Sequence, residues 1–102
     1  MNTSEKIARD CARRAVAASR AEQGWSWNDL SEVLRSLGMD QTPNNLSTKH
    51  SRGAYRVAEF LIILRALGVQ YLDLTKVQVP GLKDAVAQMK RRRRGTSAHE
   101  QP

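Results

Sequence analysis

Two helix starts, sixteen residues apart and separated by one glycine, limit what this chain can fold into more than any other feature. Ser26 is a good N-cap, and Asp29 lies three residues on. In that capping-box spacing each side chain meets an orphan backbone donor of the other residue. Trp25 and Leu30 fall at N′ and N4, the positions of a hydrophobic staple. Leu30, Val33, Leu34 and Leu37 then recur at helical spacing, and Gly38 supplies a left-handed stop. At the second start Thr42 can cap, Pro43 suits the first helical position, and Leu46 is the one strong apolar anchor of a segment ending near His50. The sequence therefore predicts two short helices joined by a tight connection.

The second of these helices has an outward face of a particular kind. On a wheel of about 100° per residue centred on Leu46, Asn44 and Thr48 point away from the core, flanked by Asn45 and Ser47. No Asp or Glu occurs from Gln41 to Ala58, while Lys49, Arg52 and Arg56 add positive charge. Asn pairs bidentately with adenine in the major groove, and Ser or Thr can donate or accept there. Asn44, Asn45, Ser47 and Thr48 are thus candidates for base contact, and Lys49, Arg52 and Arg56 for phosphate contact. The alternative is an ordinary polar surface helix, since Asn and Ser are common near any cap.

The remaining chain frames this pair. The first helix is expected over residues 4–23, capped by Ser4, with Ile7, Ala8, Cys11, Ala15 and Ala18 as a narrow stripe facing a core. From Val57 the run VAEFLIILRALGV is apolar on nearly every side and holds six Leu, Ile or Phe side chains, each worth roughly 1.5–3 kcal/mol when buried. It reads as a buried central helix ended by Gly68, whose surplus apolar surface would serve a dimer. Tyr71, Leu72 and Leu74 are expected as anchors of a short turn, and Val77 and Val79 as part of an extended linker or one edge strand. Leu82, Ala85, Val86 and Met89 then mark a last helix that runs into Lys90, Arg91, Arg92, Arg93 and Arg94 and stops at Gly95.

Charge points to a polyanion. The net charge is +7, and because Lys90 to Arg94 supply five cations, residues 1–89 carry only +3 once Glu100 is counted. On duplex DNA such a run adds affinity and no sequence choice. Catalysis finds no support, and the pattern contains no metal-ligand spacing, phosphate loop or paired carboxylates; no cofactor or small-molecule ligand is indicated. His50 falls about 40° from Leu46 on the wheel and so packs inward. Cys11 stands alone, which excludes an internal disulfide and fits a reducing compartment. With no apolar leader and no run near 18 residues, the expectation is a cytoplasmic chain with no membrane contact.

The succession of capped helix, turn, capped short helix, Arg52-Gly53 turn and apolar helix resembles the lambda-repressor-like, or Cro/C1-type, helix-turn-helix proteins. Ser31 occupies the small-residue position of such motifs, and Arg35 stands where they carry a glycine. The closest resemblance is to a small bacterial family of unknown function. It is carried by Gly24 to Leu30, by Asn45, Leu46, Lys49, Ser51, Arg52 and Gly53, and by Arg65 to Leu74 ending LGVQYLDL, over about residues 8–75. The resemblance implies a helical DNA-binding domain with residues 43–50 as recognition helix.

The expected protein is all-α, a compact bundle of about five helices. Residues 1–75 form the helix-turn-helix-like domain, 76–94 a linker and basic amphipathic helix, and 95–102 a disordered tail. Its expected partners are double-stranded DNA and a second copy of itself. A charge-driven RNA or nucleoid binder and a helical protein-interaction module are the alternatives.

Overall fold

The computed structural model describes residues 2–100, with the side chains of residues 2–94. Among the described residues the chain is all-α, and no strand occurs. The helices are α1 (Thr3–Gln23), α2 (Trp27–Ser36), α3 (Pro43–Arg52), α4 (Val57–Ala66) and α5 (Leu82–Glu100), with one 3₁₀ turn at Leu74–Lys76.

Local chemistry sets most of these limits. The α2 start carries both halves of the capping box, Ser26 Oγ accepting from Asp29 N and Asp29 accepting from Ser26 N. Thr42 caps α3 by accepting from Asn45 N, with Pro43 in the first turn. The α1 cap is Asn2, which accepts from Glu5 N, rather than Ser4. Asn is as good a cap as Ser, and the earlier start gains helical hydrogen bonds. At the other end of α3 the helix reaches Arg52, one turn fragment beyond His50, because Gly53 closes it at φ 60°.

Gly53 is also a point of close approach. A Cβ there would lie 2.8 Å from the Arg9 carbonyl oxygen, so the α3 end rests directly on the α1 backbone. Arg13 Nη1 secures the same junction by donating to Ser51 O at 3.1 Å, while its Nη2 pairs with Asp10.

The core consists of Val16, Leu30, Leu34, Leu46, Ile63, Leu64 and Leu67. Trp25, Trp27, Tyr55 and Phe60 pack against it, so Trp25 faces the same core that holds Leu30. Two expectations are corrected. On α1 the buried residues are Val16 and Ser19; Ala15 packs against the core as its place in the stripe requires and Ile7 and Cys11 are half-buried, while Ala8 and Ala18 are exposed. Nor is α4 buried all round: Val57, Leu61 and Ile62 are exposed, whereas Glu59 is buried with Ile63 and Leu64. Helices α1 and α2, the two that pack substantially on α4, cannot cover every side of it, whatever its hydrophobicity.

The C-terminal third departs from a compact bundle. Tyr71, Leu72 and Leu74 are exposed and none of them reaches the core; Leu72 and Leu74 instead edge a groove against α1 and Phe60. Val77 and Val79 lie in non-regular chain. Every described α5 side chain, from Leu82 to Arg94, is exposed. The radius of gyration is 18.4 Å, against about 13 Å for a compact domain of this length. The long axis of 57 Å accounts for the excess: α1 to α4 form the bundle and α5 projects from it. α5 also passes through Gly95 to Glu100, where the sequence pattern stops it. The tail expected to be disordered therefore continues α5 as far as residue 100, and residues 101 and 102 lie outside the described residues.

Candidate nucleic-acid interface

The α3 helix is held by one apolar anchor. Leu46 has no exposed surface, and the opposite side of the helix turns Asn44, Asn45 and Thr48 to solvent. Ser47 is half-buried at the edge of that face. Arg52, the last residue of α3, and Arg56, the N-cap of α4, are exposed. Three of the four residues expected to face bases are thus exposed, as are two of the three nearby cations.

Lys49 is placed differently. Its Nζ lies 2.8 Å from Glu59 Oε2 and 3.2 Å from Gln41 Oε1, and Gln41 Nε2 donates to the same Glu59 oxygen at 2.8 Å. Three elements meet in this triangle: the α2–α3 turn, α3 and the first turn of α4. The Glu59 side chain is only 5% exposed, against 29% for Lys49, so the pair is largely removed from solvent screening. Lys49 is therefore turned toward a buried carboxylate instead of standing free beside Arg52. The second Glu59 oxygen, Oε1, is buried without a hydrogen-bond partner among the described residues. Gln41 is fixed from the other side as well, since Ser31 Oγ donates to its carbonyl oxygen. The small side chain at Ser31, buried in α2, is thus the latch of the α2–α3 turn.

A series of ring contacts backs the inner side of α3. The Arg20 guanidinium sits 3.7 Å above the Trp27 ring, whose centroid is 5.0 Å from that of His50. His50 Nδ1 is hydrogen-bonded to the Tyr55 hydroxyl at 2.7 Å, and Tyr55 lies 5.9 Å from Phe60. His50 faces inward as its position on the wheel requires. Burial lowers its pKa from the ordinary 6.5, and the nearby Arg20 and Arg13 charges lower it further. Burial also raises the Tyr55 pKa, so the phenol stays protonated at neutral pH. This environment stabilises neutral side chains and makes His50 a packed group.

Lys90, Arg91, Arg92, Arg93 and Arg94 follow one another along exposed α5, on a different element from the α3 surface. The pattern in the sequence missed the Glu59 pair and the Arg20–Trp27 stack. The signal for the first was a lone acid in a strongly apolar helix, ten residues after the lysine that neutralises it. Among the described residues no cluster of His, Cys, Asp or Glu could hold a metal ion, and no helix is long and apolar enough to cross a membrane.

The family model for a domain of unknown function, DUF6471, matches residues 8–72. The chain belongs to this family. The match runs from within α1 past the end of α4 and stops before α5, so it falls within the part of the chain that forms the bundle. No curated protein and no solved structure matches the chain.

Proposed function

We propose that this DUF6471 protein binds double-stranded DNA, with α3 entering the major groove as the recognition helix of a Cro/C1-type helix-turn-helix. One observation carries the reading. Asn44, Asn45 and Thr48 form an exposed face followed by Arg52 and Arg56, with no acidic residue from Gln41 to Ala58 and the next one, Glu59, buried beneath Lys49. A groove-facing surface needs donors and acceptors that phosphate repulsion does not push away, and this face meets that need. Arg52 and Arg56 would hold phosphates and fix register, while Lys90 to Arg94 would add contacts without sequence choice.

As a regulator the chain would act as a homodimer. The candidate surface is the apolar patch of Val33, Leu37, Leu61, Ile62 and Ala66, on which Leu37 is 60% and Leu61 52% exposed. Paired subunits would place two α3 helices about one DNA turn, roughly 34 Å, apart. The basic α5 supports a second reading, in which charge alone retains any nucleic acid.

Binding of the Asn44→Ala, Thr48→Ala double variant distinguishes the two. Base readout predicts loss of sequence preference with retention of nonspecific affinity. Unchanged affinity and preference in this variant would remove α3 from the interface.

A further inference from the structure

We propose that the groove between α1 and the 72–77 turn binds a small apolar molecule bearing one anionic group, of the fatty-acid class. The cavity measures about 520 Å³, inside the range of ligand pockets. Its walls are Ala8, Cys11 and Ala15 from α1, Phe60 from α4, and Leu72 and Leu74 from the turn. Leu72 is 43% and Leu74 69% exposed, so both present apolar surface at the opening. Small residues on the α1 side leave room for a ligand body; longer side chains there would have closed the groove against the turn.

The mouth supplies the charge preference. Arg14 and Lys76 line both the apolar groove and a second, more polar recess beside it. Two acids lie nearby: Asp10 in the polar recess, and Asp73, which lines the apolar groove itself and is outnumbered there by Arg14 and Lys76. Asp10 pairs with Arg13 at 2.7 Å, and Asp73 Oδ1 accepts from the Thr75 backbone N–H and hydroxyl. No hydrogen bond or ion pair is made by the Arg14 guanidinium among the described residues. An apolar body in the groove would bring a terminal carboxylate to Arg14 and Lys76, where a charge-assisted hydrogen bond is available.

The same cations argue against the other occupant at hand, the Leu82, Val86 and Met89 stripe of α5 from a second copy. That stripe adjoins Lys83, Lys90 and Arg91 to Arg94, which would face like charge at the mouth. The site belongs to α1, Phe60 and the turn, and so stands independently of whether α3 reads DNA. Phe60 nevertheless joins the groove to the ring series behind α3.

The test is calorimetric titration of the full chain with decanoate, below its micelle concentration, and with decanol. One decanoate per chain is expected. Arg14→Ala weakens decanoate binding about tenfold, the scale of one charge-assisted hydrogen bond, and leaves decanol unaffected. Ala8→Trp, at an exposed wall position, blocks both ligands; Leu74→Glu at the opening repels decanoate selectively and provides the test should Ala8→Trp fail to fold. Replacing the four arginines at 91–94 by glutamine leaves the affinity unchanged. The proposal is overturned if decanoate shows no saturable binding, if its binding disappears with those four arginines, or if the groove variants bind it as tightly as the parent chain.

Discussion

Helices α3 and α5 are both rich in cations and poor in apolar side chains, yet they relate to the rest of the molecule in opposite ways. α3 is tied down on every side but one: by Leu46 in the core, by the His50 rings, by Lys49 on Glu59 and by Gly53 against α1. α5 buries no described side chain, and its five consecutive cations project with it. The same residue types therefore produce a fixed surface in one place and an unanchored run of charge in the other. Only a fixed surface can present donors at the spacing of base edges; a projecting charge serves any phosphate.

The contrast can be broken most directly at Leu46. Leu46→Ala should cost about 2–5 kcal/mol, the range for a buried leucine that leaves a cavity, and lower the Tm accordingly. A loss below about 1 kcal/mol would mean that α3 is not anchored through the core.

Next in size is the buried pair. Lys49→Met leaves Glu59 charged and uncompensated and should destabilise by roughly 3 kcal/mol. Adding Glu59→Leu should recover much of that loss, because two apolar groups remove both desolvation costs; a double variant no better than Lys49→Met alone would contradict the coupling. Gly53→Ala should then cost about 1–3 kcal/mol through its φ of 60° and the close approach to Arg9, measurable by denaturant unfolding.

A smaller effect is expected from pH. Because the folded-state pKa of His50 lies below its unfolded value of 6.5, the unfolded chain binds the proton first on acidification. The His50 contribution is complete above 6.5 and is lost as pH falls toward the lower folded pKa. Thermal unfolding of His50→Phe compared with the parent chain between neutral and mildly acidic pH should show a flatter profile in the variant. Smallest of all is Leu82→Ala on α5, predicted within about 0.5 kcal/mol because the side chain packs on nothing in the bundle.

What is legible in the sequence divides along the same line. Ser26 with Asp29, Thr42 with Pro43, and Gly38, Gly53 and Gly68 announce helix ends through interactions spanning a few residues, and all five helices follow from them and from apolar periodicity. The outward direction of Asn44 and Thr48 follows from Leu46 alone. Tertiary features are less accessible. Periodicity cannot show that α4 has too few neighbours to bury Leu61 and Ile62, nor that Glu59 is inside while Val57 is outside. The Arg20–Trp27–His50 series joins three helices and has no local signature. Gly95 reads as a stop, yet the helix continues past it; a glycine weakens a helix interior without forbidding it.

The central claim is that α3 reads sequence while α5 supplies charge. Fragmented DNA of the host, retained on the purified protein across a salt series and then sequenced, tests it most directly. The prediction is a shared, two-fold related motif that survives at physiological salt. With Arg91 to Arg94 replaced by glutamine the motif should persist, while the log–log salt slope becomes shallower by about 0.9 for each phosphate that is no longer neutralised. With Asn44→Ala and Thr48→Ala the motif should disappear and the slope remain. Retention that is uniform across sequences and vanishes as salt rises would contradict base reading by α3 and leave charge as the whole of the interaction.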